Sequence, residues 1–596
     1  MVFNAGNAAR VLQTVVLAAV SWGLAWLATG STAAPDWLPY AFLTALVLAA
    51  ALIGGTVLWP RRRELAVVGA LVALAGWEAL SIVWSAVPDL ARDEALLTIF
   101  YAIALLVPLV ALRSATERLL ALAAIAAAAA VLAVGAGIVL RFGSDQADHF
   151  YSGRLSFPIS YPNAQAAVFL IGFWPALVLA AQRGRGLLVR ALAMAAATAI
   201  ASGWLTAQSK GGIAALAASA AVVFALSPLR LRLLPPTLIA AGLTAAAYSP
   251  LTAPFRSESV PEVKRAGSAI LLLAALGAVA GLLYALVDRR LELDPRAVRK
   301  AGVGVFVMFV AAVVAAVALF FTSVYHQGWF GDQWQAFKRY QSTTASSHLL
   351  QLGSYRYDIW RVAMHEFEHH PLAGIGSRGF GPAYLQERRS PDTPARAHSV
   401  ELDALSELGV VGFALLACAF VVPLVTLARR LRGRDAVATA AFAGAVYWLV
   451  HASVDWIWTV PACGLPFWLL VGVGCSGGER RQLGSRAALP AAAVAVVIAV
   501  IAFVPPWLSA RLTDHGNFHW AERLDPLSVD PYVSQGSVAA LEEAVRKEPR
   551  VVELRFDLGQ AYIRAGKRSK ARAALEEAHR LDPRDPRIAE ALKNAP

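Results

Sequence analysis

Long apolar runs alternate along the chain with short polar or charged breaks, and one polar interval is far longer than the rest. A run of roughly 17–25 apolar residues is enough to cross a bilayer as a helix. By that criterion the pattern predicts about fifteen spans. In order they are Val11–Thr29, Leu38–Trp59, Leu65–Trp84, Ala95–Leu112, Leu119–Leu140, Ala164–Ala181, Leu187–Ala207, Gly212–Leu226, Leu233–Tyr248, Ser268–Val287 and Ala301–Val324. After the long polar interval come Leu408–Ala428, Ala436–Trp456, Val460–Gly474 and Ala487–Leu508. The pattern therefore divides the chain into N-terminal transmembrane helices over 1–324, a large loop over 325–407, C-terminal transmembrane helices over 408–508 and a tail over 509–596. The expected fold class is all-α: a polytopic membrane helix bundle with a large outward-facing loop and a small α-helical repeat domain.

Lys and Arg orient the spans, because short cytoplasmic loops are enriched in them. Arg61-Arg62-Arg63, Arg113 with Arg118, Arg183 with Arg185 and Arg190, and Arg230 with Arg232 fall in alternate loops. Arg289-Arg290 through Lys300, Arg429 through Arg434, and Arg480-Arg481 with Arg486 keep the same register. One orientation satisfies them all, with the N-terminus inside and both the long loop and the C-terminal tail outside. The first apolar run is followed by further spans and shows no convincing cleavage site, so it reads as a retained helix.

The tail has a different pattern. Residues 511–596 are charged, amphipathic and rich in Ala, Glu and Arg. Leu558-Gly559-Gln560-Ala561-Tyr562, Gly566-Lys567, Ala571, Ala574-Leu575, Ala578 and Leu581-Asp582-Pro583 have the helix-turn-helix spacing of a tetratricopeptide repeat. Small residues let the paired helices approach, and Pro583 stops the second one. A degenerate partner runs through Trp520-Ala521-Glu522-Arg523-Leu524-Asp525-Pro526 and Ala540-Leu541-Glu542-Glu543-Ala544. Such surfaces bind partner proteins, and a short array also serves to stabilise one face of a larger fold.

Composition agrees with the membrane reading. Of 596 residues, 58% are hydrophobic and 16% charged, with a mean hydropathy of +0.56. A soluble domain cannot hide so much apolar surface. The net charge of +13 follows from Arg in the cytoplasmic loops, and no aromatic-basic motif points to nucleic acid. Cys418, Cys463 and Cys475 lie in or beside apolar runs without metal-ligand spacing, which argues against a disulfide framework or a zinc site.

Four outward-facing places carry groups that a bare helix bundle does not need. Arg154 precedes Tyr161-Pro162-Asn163, a helix start, and would otherwise be an interfacial Arg snorkelling to headgroups. Lys210 lies in the turn Gln208-Ser209-Lys210-Gly211-Gly212, whose plain reading is a turn lysine. Arg356 shares a helix face with Trp360, so ordinary packing also explains it. His398, near Arg396, Glu401 and Asp403, is a lone histidine of the kind that is more often structural. His365 and His369 have the i, i+4 spacing of a helical metal pair, with Glu366 and Glu368 between them. The string His-Glu-Phe-Glu-His lacks a third ligand, however, and no zinc peptidase and no metal cofactor are predicted. Arg154, Lys210 and Arg356 together could neutralise a pyrophosphate beside an apolar slab. Neutral His398 could take the proton from an attacking hydroxyl. That combination suits glycosyl transfer from a lipid pyrophosphate without a metal.

Taken in order, these motifs resemble the O-antigen ligase and O-antigen polymerase superfamily over about residues 150–465. The resemblance rests on Arg154 with Pro162-Asn163, Ser209-Lys210-Gly211, Arg356 with Trp360, and Pro371-Leu372-Ala373-Gly374-Ile375-Gly376. It continues through Ala397-His398, Glu407-Leu408-Gly409 and the stretch His451 to Pro461 with Val454-Asp455-Trp456. It implies an undecaprenyl-pyrophosphate-linked glycan donor, a phosphate grip of Arg154, Lys210 and Arg356, and His398 as base, with Asn163, Arg361, Glu407 and Asp455 in support. The chain departs from the family at Lys210, usually Arg, and at Ser399, usually Asn. The expected activity is inverting, metal-independent transfer of a glycan to an acceptor hydroxyl on the outer face of the bacterial cytoplasmic membrane. The acceptor would be a glycan, a lipid or a protein, which leaves ligase, polymerase and protein O-oligosaccharyltransferase open. A transporter of lipid-linked sugar is the rival from another class; it would favour charges paired within spans and an inverted repeat.

Overall fold

The computed structural model describes residues 5–54, 57–291, 295–319, 321–322, 328–338, 356–478, 482 and 484–594. Arg480 and Arg481, singled out above, lie outside them, as does the end of the predicted span Ala301–Val324. In a bilayer every backbone group needs an internal partner, and apolar sequence meets that demand as helix. Ten helices among the described residues are long and apolar enough to span a membrane, or eleven if one bent pair counts as a single span. That is fewer than the fifteen expected. Lys210–Leu226, Ala436–Ala452 and Pro461–Cys475 are shorter apolar helices, and 15–17 residues at ~1.5 Å each fall short of the ~30 Å hydrocarbon core. All of Pro461–Cys475 is buried within the bundle. The predicted span Ala164–Ala181 is found as Pro162–Ala181, one of the ten, with a break at Ile171-Gly172 between Pro162–Leu170 and Phe173–Ala181. Leu233–Tyr248 becomes Arg230–Ala246 followed by a 65° bend.

The breaks between helices sort to two ends. At the basic end Arg118 pairs with Asp435 at 2.7 Å and donates to the Val473 and Gly474 carbonyls. Arg430 donates to the carbonyls of Gly474, Cys475 and Ser476. These are carbonyls that a helix C-terminus leaves without intrahelical partners, and they carry the negative end of its dipole. Arg10 joins this end through Glu117 at 2.8 Å. Two of the basic loops read from the sequence, those of Arg118 and Arg430, are thus brought together.

At the opposite end the polar loop meets the bundle by backbone pairing. Ile375 and Gly376 donate to the carbonyls of Ser406 and Glu407, and Val410 donates to Pro371, at 2.8–3.0 Å. The helix Val400–Leu431 is kinked at Gly409, with φ +65° and ψ −167°. A Cβ at Gly409 would meet the Leu372 carbonyl carbon at 2.3 Å, and one at Gly374 would meet the Glu407 carbonyl carbon at 2.2 Å. The Leu408 carbonyl freed by the kink accepts from the Trp77 indole at 3.0 Å. The Pro-Leu-x-Gly-x-Gly and Glu-x-Gly motifs therefore have a packing explanation: only glycine lets these two turns of backbone touch.

The tail folds into short helices, with Val552–Arg564 and Arg568–Leu581 packed as a pair around Leu558, Ala561, Tyr562, Ala571 and Ala574. It is docked on the loop. Leu385 packs against Val552, Ala578, Leu581 and Ile588, and the buried Arg388 guanidinium grips Asp582 through two nitrogens at 2.8–3.1 Å. A second ion pair joins Arg92 to Asp525.

Candidate active site

A two-residue hairpin positions the first cation. Phe150–Tyr151 pairs with Arg154–Leu155, and Ser152 and Gly153 both have positive φ, the conformation of a type I′ turn. Arg154 leaves the turn with Nε donating to the Ala207 carbonyl at 3.1 Å. That carbonyl belongs to the last turn of the helix Leu187–Ala207. Its Nη2 donates to Asn163 Oδ1.

Asn163 continues the chain of contacts. Its amide donates to the Tyr161 hydroxyl at 2.9 Å and to Asp455 Oδ2 at 2.6 Å. Asp455, 1% exposed, also accepts from Tyr161 at 2.7 Å and from Arg356 Nη2 at 3.1 Å. Burial alone would raise its carboxyl, but Arg356, His398, His451 and the Tyr161 hydroxyl hold it below the usual carboxylate range. Asp455 is thus the hub that orients Arg356 directly and Arg154 through Asn163.

The Lys210 turn is built from the other side. Gln208 adopts the left-handed conformation at φ +50° and ends one helix, and Ser209 caps the next by accepting from Gly212 N at 3.1 Å. Ser209 Oγ also stands 3.3 Å from His451 Nε2, whose Nδ1 is 3.0 Å from the Tyr447 hydroxyl. Lys210 begins the helix within electrostatic reach of Arg154 and Arg356, and the helix N-terminus adds partial positive charge there.

His398 precedes Ser399, the N-cap of the kinked helix. Serine is a favoured cap, and the Ser399 side chain accepts from Leu402 N at 3.4 Å. His398 itself has φ +54°, an uncommon backbone conformation for a residue with a Cβ. Its Nδ1 is 3.1 Å from the Arg396 carbonyl, which fixes the proton on Nδ1 and leaves Nε2 as the basic nitrogen. Trp456 stacks on Tyr161 at 4.8 Å and meets the His398 ring edge-on at 6.3 Å. Burial lowers the His398 pKa; Asp455 pulls it back up and Arg356 pushes it further down, and the net result lies below the ordinary imidazole value.

The structure brings Arg154, Asn163, Lys210, Arg356, His398 and Asp455 together. It places the other two sequence candidates elsewhere. Arg361 is tied to Asp358 at 2.9 Å and to the Glu387 carbonyl at 2.7 Å. Glu407 accepts from the backbone of Arg378 and Phe380 and faces Arg396 at 3.5 Å. It belongs to a separate network in which Arg396 pairs with Glu94, Arg378 stands 3.6 Å from Glu94, and the Trp458 indole donates to Glu94 at 3.1 Å. Glu94 and Arg378 were missed in the sequence, where each sits in a segment that reads as ordinary helix end or loop. Tyr161 and His451 stood within quoted motifs without a role of their own.

The arrangement is one suited to an anion at an apolar boundary, with a neutral imidazole beside it. No match to a curated protein was found for the chain. The family match over 193–417 contains Lys210, Arg356, Arg361, His398 and Glu407, while Arg154, Asn163 and Asp455 lie beyond it. Residues 193–417 match the O-antigen ligase family model and residues 535–595 match a tetratricopeptide repeat, so this polytopic membrane helix bundle is similar to O-antigen ligases over that stretch and carries a C-terminal tetratricopeptide-repeat tail.

Proposed function

We propose that the protein transfers a glycan from undecaprenyl pyrophosphate to an acceptor hydroxyl on the outer face of the bacterial cytoplasmic membrane. The observation that carries this reading is the convergence of Arg154, Lys210 and Arg356, from three distant parts of the chain, around buried Asp455 with His398 alongside. His398 Nε2 takes the proton of the acceptor hydroxyl as its oxygen bonds to the anomeric carbon. The bond from that carbon to the phosphate oxygen breaks, and undecaprenyl pyrophosphate leaves with the electron pair. The three cations stabilise the charge that develops on the leaving group, where a preorganised, water-poor site is most effective. Attack opposite the leaving group inverts the anomeric centre. Asp455 acts as a positioning residue, and the repeat tail, gripped through Arg388 and Asp582, holds the polar loop against the bundle.

The test uses purified protein, an undecaprenyl-pyrophosphate glycan and a set of candidate acceptors. Wild type should release lipid pyrophosphate with each transfer, and His398→Ala should lose about 10²–10⁴ in rate, the usual worth of a general base. Equal turnover in the two proteins removes His398 from the role of base. Transfer without release of lipid pyrophosphate overturns the mechanism, and growth of the lipid-linked glycan itself identifies a polymerase rather than a ligase.

A further inference from the structure

We propose that His365, Glu366 and Glu387 form a binding site for one divalent transition-metal ion, of the Zn²⁺ class, at the junction of the polar loop with the repeat tail. Their ligand atoms lie within 4.8 Å of one another. They come from two helices, Arg356–His369 and Phe380–Glu387, so an ion would tie separate elements together. His365 Nδ1 stands 3.0 Å from Glu387 Oε1, yet this solvent-shielded nitrogen makes no hydrogen bond. With the ring neutral and its proton on Nε2, the nitrogen and the carboxylate oxygen present two lone pairs to a common point, as metal ligands do.

The surroundings support a metal with an open coordination position. A cavity of about 390 Å³ is lined by Glu366, His370 and Glu387 from the loop and by Arg550 and Arg580 from the tail. One imidazole and two carboxylates suit Zn²⁺, and three protein ligands leave a fourth position for water facing that cavity. Arg361 Nη1 approaches Glu387 at 3.8 Å, a long contact that engages Oε2 and leaves Oε1 to the ion. His369 is the partner that sequence spacing favoured, but its Nδ1 is 2.8 Å from the His365 carbonyl and it stands outside the cluster. Arg388, next to Glu387, is the residue that grips Asp582. An ion on Glu387 would therefore stiffen the segment on which the tail docks.

Full-length protein in detergent, stripped with a chelator, would be titrated with Zn²⁺ against a chromophoric competitor, and melted with and without the ion. One tight ion per chain is expected in wild type and in His369→Ala. His365→Ala and Glu387→Gln should each weaken that ion at least tenfold, and Zn²⁺ should raise the melting temperature of wild type but not of these two variants. Glu387→Gln keeps the side chain's size, so it separates loss of a ligand from loss of the fold. Zn²⁺ uptake that neither substitution changes, or no tight uptake at all, overturns the site.

Discussion

Two clusters of arginine and carboxylate lie at the same end of the bundle, and their charge balance is opposite. Around Asp455 stand Arg154, Lys210 and Arg356, three cations to one carboxylate. Around Arg378 and Arg396 stand Glu78, Glu94, Asp403 and Glu407, four carboxyls to two cations. The second cluster is the more closed: Arg396 is 5% exposed and Glu407 3%, their contacts run to Glu94 and to backbone amides, and Glu94 accepts from the Trp458 indole. The first has Arg356 and His398 partly open to solvent. A buried cluster whose carboxyls outnumber its cations repels an arriving anion, whereas one with surplus positive charge at an opening is built for an anion that arrives from outside.

The sharpest way to break that comparison is to remove one arginine from each cluster. Arg356→Ala should cost about 10²–10³ in transfer rate, the worth of one donor to a developing anion, with a smaller drop in melting temperature than Arg396→Ala, because Tyr161 and Asn163 still donate to Asp455. Arg396→Ala leaves the buried Glu94 and Glu407 with Arg378 as the one remaining arginine of the cluster, 3.6 Å from Glu94, and should cost about 3–5 kcal/mol of stability, read as a collapsed thermal melt or lost expression. If both variants lose activity to the same degree and melt alike, the two clusters share one role and the distinction fails.

The sequence revealed what is local. Helices and the alternation of basic loops are written in contiguous runs, and Arg154 and Asn163, nine residues apart, could be read as one site. The hub was harder to read, because Asp455 gains its meaning from contacts with Asn163, 292 residues away, and Arg356, 99 away. The pairing of Arg396 with Glu94, 302 residues apart, left no local trace. Arg361 was legible as a cation on the helix of Arg356, but i, i+3 geometry turns it onto Asp358 and away from the site. The glycine motifs were legible as signatures, and their reason emerged only from the backbone contact between 371–376 and 406–410. Part of the difference in span number has a simple cause: hydropathy measures apolarity, and a short helix buried in the bundle, such as Pro461–Cys475, is as apolar as one that crosses the membrane.

A smaller effect should come from the seam between loop and tail. Arg388 and Asp582 are both buried, so Arg388→Ala strands a carboxylate. The Arg584 amide, which also donates to Asp582 at 3.1 Å, offsets part of the loss. A cost of about 3 kcal/mol is expected, at the low end for a broken buried pair, and it should appear as faster proteolytic release of the tail rather than unfolding of the bundle. Protease resistance equal to wild type would mean that the tail is held by its apolar contacts at Leu385 instead.

The finest distinction concerns the proton. A general base works neutral, so transfer should fall as pH drops through the pKa of His398, and burial places that fall below the ordinary imidazole value of about 6.5. Asp455 and Arg356 act on the ring with opposite signs while bonded to each other at 3.1 Å. Asp455→Asn removes the charge that favours the imidazolium, so the acid limb of kcat/KM should move to lower pH. Arg356→Ala removes the charge that opposes it, so the limb of the remaining activity should move to higher pH. A merely structural role for this ion pair would lower the rate in both variants and leave the limb in place. Two displacements in opposite directions require that the cation, the carboxylate and the imidazole share one field, and that the surplus charge of this cluster reaches the base as well as the anion.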